Sequence, residues 1–536
     1  MKTSHYDVIV VGAGAGGAAA AWAYQKLGYQ VCLVERGTWQ NPSLYPANFQ
    51  DWETRRHLGY SYDPNVRKNA ADYSIDNSNS PIKAANYNGV GGSTILYSGH
   101  FPRFHPSDFA TFSLDGVGQD WPISYDDLDP YYSLNERMMG VSGLVGDPAY
   151  PEMSEKNLGK PIPIGSYGAT LGNAFNVLGW HWWPSYSAIS SSSRSGRVPC
   201  QNVGPCNTGC PTGAKSSVDQ TYIPKAMYLG MSLRINAVVQ SLLHKSDEII
   251  GVEILTPQGS ERILGQLTVL ACNAIGTARL LKKFQITAPA KITSKLSKQI
   301  GKNLMLHPLG YAEARLSHTT DVEVGPQGCC IYSHEFYETD NNRDFKRGYT
   351  LHILRGNHGI DGVARSIDRG DIKFGSEFAK NFLNTKGTLA AMTVICEDLP
   401  RLENEVFLKT ELDNDGLPKV GIKYSIDQNT KKMMAHGLRS AKRVLKEAGG
   451  KKVHVVGPVH DAGWHLMGTA RMGRSAADSV TSEIGEVHGL SRLFIADGSL
   501  FTTSAGVNPA STIQALALYV ASSSSQKYLG SNGIIA

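Results

Sequence analysis

Asp7-Val8-Ile9-Val10-Val11-Gly12-Ala13-Gly14-Ala15-Gly16-Gly17 is the stretch that decides the fold. Its apolar run reads as a strand buried on both faces. Gly12, Gly14 and Gly17 follow at dinucleotide-fingerprint spacing. They supply a tight turn, an opening for a pyrophosphate to approach the backbone, and room for a helix to pack on the strand. An Ala-rich helical pattern runs to about Leu27, and Gly28 ends it. Val31-Cys32-Leu33-Val34-Glu35 makes a second strand with an acid at its end. Glu35 is placed to accept from both ribose hydroxyls, and the helix N-terminus faces the phosphates. The fingerprint alone does not separate FAD from NAD. Its place at the start of the chain favours FAD.

Working outward, residues 38–88 are polar and irregular and read as a lid or extended loop. Asn88-Gly89-Val90-Gly91-Gly92-Ser93-Thr94 is a second glycine-rich turn. It is either structural or a place where backbone N–H groups approach a planar cofactor through Gly91, Gly92 and Ser93. Asp120–Tyr132 reads as a turn, a cap and a helix, its acids serving as caps. Residues 186–199 are serine-rich and expected at the surface, with a helix starting near Ser216. Leu233–Val239, with Val238 as a cofactor-binding position, and Glu248–Glu253 alternate like strands of a meander. Leu267–Cys272 is another buried strand, followed by a helix to about Lys283. From about 307 to 450 short alternating strands dominate, with a helix near 429–448. The tail from Ser522 is expected to fray.

Composition sets limits. With 536 residues, 41% apolar and 18% charged, the chain has length for two or more domains or one with a long insertion. A net charge of +5 gives no reason to expect nucleic acid as a partner. No eighteen-residue apolar stretch suggests membrane insertion, and no export signal precedes the first strand.

Near the C-terminus stands Trp464-His465-Leu466-Met467-Gly468-Thr469-Ala470-Arg471-Met472-Gly473. Ala496-Asp497-Gly498-Ser499 and Val507-Asn508-Pro509 follow it. This segment offers one imidazole and one amide in tightly turned surroundings. A neutral His465 can take a proton from a hydroxyl. Asn508 can donate an N–H to the alkoxide, an effect worth on the order of 3 kcal/mol.

Three of the eight cysteines cluster in Cys200-Gln201-Asn202-Val203-Gly204-Pro205-Cys206-Asn207-Thr208-Gly209-Cys210-Pro211. Three thiols in eleven residues, with Gly and Pro between them, can wrap one small inorganic centre. Zinc normally wants a fourth Cys or His, and none is adjacent. A metal-free loop, with or without a disulfide, is the other reading.

Taken together these motifs, with Gly301-Lys302-Asn303-Leu304, resemble the glucose-methanol-choline (GMC) oxidoreductases along the whole chain. The resemblance implies the GMC fold: an α/β, Rossmann-like FAD-binding domain and an α+β substrate domain on an antiparallel sheet. The expected parts are 1–160, 200–306 and 456–536 for FAD, and 161–199 and 307–455 for substrate. It implies FAD-dependent oxidation of an alcohol to a carbonyl. His465 would act as base or orienting partner, and Asp497, Gly498, Asn508 and Pro509 would lie close to the flavin.

The cysteine loop resembles the catalytic subunits of bacterial FAD-dependent glucose, fructose and glucoside-3 dehydrogenases. That resemblance implies a [3Fe–4S] cluster on Cys200, Cys206 and Cys210, and a sugar or glycoside substrate. It also implies a cytochrome or other electron acceptor and a small signal-bearing subunit that carries the folded chain to the periplasm. A plain cytoplasmic enzyme and a cluster-free alcohol oxidase or dehydrogenase are the alternatives. A redox-inert relay subunit is a further one, which the intact His465/Asn508 pair opposes. Tyr332, His334, Tyr337, His352 and Arg355 are the candidate partners for sugar hydroxyls.

Overall fold

Val8, Ile9, Val10 and Val11 are buried because the strand Lys2–Val11 runs between two parallel neighbours, Val31–Val34 and Gly259–Leu270. The computed structural model describes residues 2–533 apart from 68, 194–195, 357–359, 374 and 377. The parallel part of the sheet runs Ser232–Arg234, Val31–Val34, Lys2–Val11 and Gly259–Leu270. The first half of Gly259–Leu270 pairs antiparallel with Glu248–Thr256, and its last three residues pair in parallel with Leu493–Ile495. That last pairing carries Ala496 and Asp497 to the Gly12–Gly17 turn, nearly 500 residues away in sequence. A Cβ on Gly16 would lie 1.9 Å from the Ala496 carbonyl oxygen. The helix Ala15–Lys26 buries its alanines, and Tyr24 hydrogen-bonds Ser524 on the helix Ala510–Tyr528 at 2.6 Å.

A second sheet is antiparallel throughout. Its order is Lys451–Val456, Leu309–Arg315, Leu389–Cys396, Tyr349–Arg355, Gly328–Ser333 and Trp183–Pro184. The helix Gln428–Glu447, capped by the Asp427 carboxylate on the Thr430 N–H at 2.7 Å, packs Met433, Met434, Val444 and Leu445 into this sheet's core. Arg347, fully buried and paired within the region to Glu397 at 2.9 Å, ties it to the rest through Asp108 at 2.5 Å and Asp115 at 3.0 Å. Removing one partner of such a buried set costs more than the set adds, because the remaining charge is stranded. No helix among the described residues is long and apolar enough to cross a membrane.

Several local expectations are corrected. Residues 38–88 are not one irregular loop. They hold the helix Trp52–Gly59 and the strand Ile75–Asn79, which pairs in parallel with Pro418–Lys423. Leu233–Val239 is not one strand, because Asn236 takes φ +50°. Ser232–Arg234 therefore joins the parallel sheet, while Val238–Lys245 turns to pair antiparallel with Glu248–Thr256. The helix expected near Ser216 is Tyr222–Tyr228. Within 186–199, residues 194–195 lie outside the described residues, and Tyr186 to Ser190 are buried rather than on the surface. The C-terminal helix continues through Tyr528 with Ser524 and Ser525 buried, so the serine run packs instead of fraying. Its hydroxyls donate back to carbonyls one turn earlier, which lets small polar residues sit in a core.

Candidate active site

The two glycine turns meet. Gly92 has φ +52°, and a Cβ there would lie 2.7 Å from the Gly14 Cα. Gly17 packs under the turn, its Cβ position 1.9 Å from the Gly12 carbonyl oxygen. Gly14 faces space: only the Gly92 Cα comes as near as 4.0 Å to its Cβ position. The helix that starts at Ala15 has no side-chain cap and no acid in its first turn. Its first N–H groups are therefore free of side-chain competition for an anion. Glu35 is held by the N–H groups of Ala13 at 2.9 Å and Gly37 at 2.8 Å, one to each carboxylate oxygen. Each oxygen keeps lone-pair capacity for a hydroxyl.

These groups line one cavity of about 630 Å³. Gly12, Gly14, Glu35, Gly92, Ser93, Val238, Asp497, Gly498, Asn508 and Pro509 reach it, whereas Gly17 and Gly91 lie behind its wall. Gly91 instead donates its N–H to the Ala13 carbonyl at 2.9 Å, joining the two turns. Asp497 accepts from Thr277 Oγ1 at 2.6 Å and from the Ser499 N–H at 2.8 Å, and burial raises its carboxyl above the usual range. An open Gly14, an uncapped helix start and an oriented acid suit a dinucleotide. The residues present fit FAD.

The C-terminal pair enters the same cavity. His465 Nε2 lies 3.3 Å from Asn508 Nδ2, and His465 Nδ1 lies 2.9 Å from His307 Nδ1. His307 Nε2 faces two carbonyl oxygens, Ala505 at 2.7 Å and Ser504 at 3.1 Å. Carbonyls only accept, so Nε2 of His307 carries its proton. Burial holds His307 neutral, its pKa lowered to about 4, so its Nδ1 is bare. His465 must then donate from Nδ1, which leaves its Nε2 as a lone pair toward Asn508 and the cavity. Burial, then the nearby His307 and His352, keeps the His465 pKa well below the usual histidine value. Sequence reasoning missed His307. The quoted Gly301–Leu304 motif stopped three residues short of it.

Of the five candidate hydroxyl partners, only His352 lines the cavity. Tyr332 donates to Asp147, Tyr337 donates to Asp108 at 2.8 Å, and Arg355 donates to the Pro163 carbonyl at 2.7 Å. His334 stacks on His181 and packs against the rings of His105 and Tyr337. Tyr332 and Tyr337 spend their hydroxyls inside the protein, and His334 and Arg355, each with one buried nitrogen unpaired, do not line the cavity. His100, not singled out from the sequence, does reach the cavity.

Cys200, Cys206 and Cys210 sit behind the cavity wall, which Asn207 of their loop helps to form. All three thiols are free. Cys200 Sγ accepts the Asn202 N–H and Cys210 Sγ accepts the Lys215 N–H, both at 3.4 Å. Burial raises the Cys206 thiol to about 12. Burial also opposes ionisation of Cys210, but the Thr212 hydroxyl and Lys215 bring its pKa below the ordinary value. The Lys215 ammonium is buried and donates to the carbonyls of Ile95 at 2.7 Å and Tyr97 at 2.8 Å. It thereby fastens the cysteine loop to the chain just after the second glycine turn. The three sulfurs do not all lie within 4.8 Å of one another. Among the described residues only His100, Cys329 and His352 form such a set. One tetrahedral zinc with bonds of about 2.3 Å draws its sulfurs to about 3.8 Å. The three thiols are not gathered in that way here.

Comparison with known proteins bears on the whole chain. Residues 185–309 and 400–517 match models described as GMC oxidoreductase, and residues 10–40 match an NAD(P)-binding Rossmann-like domain. The 2-methyl-1,2-propanediol dehydrogenase of Mycolicibacterium austroafricanum is 35% identical, covering 96% of this chain and 94% of that protein. The fructose dehydrogenase large subunit of Gluconobacter japonicus is 26% identical, covering 97% and 98%. The crystal structure of a formate oxidase superposes with a TM-score of 0.67 at 16% identity, over 99% of this chain and 100% of that one, and so shares the fold. The chain belongs to the GMC oxidoreductase family.

Proposed function

We propose that the chain is an FAD-dependent dehydrogenase that oxidises a hydroxyl of a polyol or sugar to a carbonyl. The observation that carries this reading is the bare Nε2 of His465 beside the Asn508 amide, in the same cavity as the two joined glycine turns. FAD, when bound, supplies flavin N5 as the hydride acceptor. A substrate hydroxyl placed between His465 Nε2 and Asn508 Nδ2 gives its proton to the imidazole and receives an N–H from the amide as it becomes an alkoxide. The low basicity of His465 keeps Nε2 free before substrate arrives. The negative charge forming beside it then favours the imidazolium. His307 retains its hydrogen bond to Nδ1 throughout, so the ring does not turn.

The finer part of the proposal concerns the electrons. Cys200, Cys206 and Cys210 would hold a [3Fe–4S] cluster, which supplies one-electron transfer to a partner protein. Three free thiols, backbone N–H donors to two of them and the contact of Asn207 with the cavity support this. So does the similarity to a protein named as a large subunit, which fits electron transfer to a companion chain and export with it. Anaerobic mixing with a panel of alcohols, diols and sugars should bleach the flavin absorbance. His465→Ala should keep flavin bound and slow bleaching by about 10²–10⁴-fold. Bleaching at the wild-type rate in that variant would sink the assignment of the base.

A further inference from the structure

His100 and His352 share the cavity with His465 and Asn508 but have no part in the proton path above. They are 5% and 4% exposed, and their rings meet edge to face with centroids 4.2 Å apart. Each has a buried Nε2 with no hydrogen-bond partner. A buried polar atom left unpaired costs about 1–3 kcal/mol. Two together on a cavity wall mark where polar atoms of a ligand belong. The backing is built. His100 Nδ1 lies 2.7 Å from Ser185 Oγ, which lies 3.0 Å from Ser187 Oγ. His352 is fixed in register between Tyr332 and Thr393 on its flanking strands.

With Cys329 these residues have the spacing of a metal set. The sulfur argues against that use. Its S–H donates to the Ile331 carbonyl at 3.3 Å, and burial pushes the thiol far up. What faces the cavity is two neutral imidazoles, and burial keeps both uncharged. A neutral imidazole offers a donor and an acceptor, which is the complement of a hydroxyl, itself both donor and acceptor. His352 and His465 also lie close enough that the charge of one depresses the other's basicity.

We propose that His100 and His352 form a second hydroxyl subsite, which takes another hydroxyl of the molecule whose reacting hydroxyl lies between His465 and Asn508. The enzyme therefore selects substrates with at least two hydroxyls. This inference rests on the reading of His465 and Asn508 given above. The test follows flavin reduction by 1-propanol, 1,2-propanediol and 1,3-propanediol, comparing kcat/KM for diol and mono-alcohol. In the wild-type holoenzyme at least one diol should exceed 1-propanol by more than about 10-fold. His352→Leu and His100→Leu should each lower that ratio by about 10- to 100-fold, and His352→Asn should recover part of it. A wild-type ratio near one would overturn the subsite, and that measurement does not depend on any variant folding. So would leucine variants that slow mono-alcohol and diol equally, since that is the mark of a merely structural role. If alcohols reduce the flavin but the ratio fails, only the subsite falls. If no alcohol reduces it, the oxidising reading falls first and takes the subsite with it.

Discussion

His307 holds the Nδ1 proton of His465 on its own Nδ1 at 2.9 Å, and its own Nε2–H is anchored on the carbonyls of Ala505 and Ser504. Two neutral imidazoles in series therefore fix a tautomer. The carbonyls orient His307, His307 orients His465, and the lone pair left over points to the cavity. His307 acts through His465 and is a positioning residue.

His307 has φ +52°, a conformation that Asn adopts more readily than most residues. An Asn side chain can also present an oxygen where Nδ1 stands and an amide N–H toward the carbonyls. His307→Asn should therefore retain most of the rate of flavin reduction by alcohols. His307→Ala, which leaves the His465 Nδ1–H without its acceptor, should lose about 100-fold, within the range a general base contributes. Equal rates for the two variants, at equal flavin content, would show that His307 only fills space.

The pH dependence follows from the same burial. Protonating Nε2 of His465 removes the acceptor, so activity is lost on the acid side. Because burial lowers this pKa well below its usual value, kcat/KM for flavin reduction should stay flat as pH falls through about 6.5, and drop only below it. Stability has the same sign. His307 is lowered to about 4 and His100 to about 3, so between about 6.5 and those values the unfolded chain binds protons that the native state refuses. The stability present above about pH 6.5 is lost as pH falls toward those values. Thermal unfolding between pH 7 and 5 should show the midpoint falling, with a shallower fall in His307→Asn. An unchanged slope in that variant would count against a neutral buried His307.

Two glycines separate folding from cofactor binding. A methyl on Gly14 meets nothing nearer than 4.0 Å and projects into open space, so Gly14→Ala should fold normally yet purify with little flavin. A methyl on Gly92 would press on the Gly14 Cα at 2.7 Å in a left-handed conformation, so Gly92→Ala should lose stability as well as flavin. Flavin absorbance per chain and thermal midpoints check both. A fully flavinylated Gly14→Ala would remove the phosphate from this turn.

The parts that sequence made legible are those with strict local geometry. The strand at Val8, the Gly12–Gly17 turn and the helix after it follow from backbone sterics within twenty residues, and the helix near 428 from its apolar period. His465 and Asn508 stood out because each lies in a small-residue turn. What stayed hidden depends on long-range pairing. Ile75–Asn79 is too polar to read as a strand until Pro418–Lys423 supplies its partner. His100, His307 and His352 come from three separated segments, and nothing local distinguishes them from Tyr332, whose hydroxyl is spent on Asp147, or from His334, which does not line the cavity. Which of them reaches the cavity or the His465 ring is decided only by the assembled core.

The cysteine loop gives the last test. Gly204, Pro205 and Gly209 stand between its thiols in the sequence. Gly209 takes φ +93°, with the Tyr45 ring where a Cβ would stand, so the loop is clamped rather than slack. A cluster needs thiolates. Cys210 is already favoured as one by Thr212 and Lys215, while the buried Cys206 thiol is not and would be ionised only by binding iron. Protein purified anaerobically should therefore contain about three iron atoms and four labile sulfides per chain. Cys206→Ser should lose both. It should still bleach its flavin with substrate, because the proton path through His465 is untouched, but reduce one-electron acceptors more slowly. Wild-type protein without iron that turns over such acceptors at full rate would show that the loop is structural.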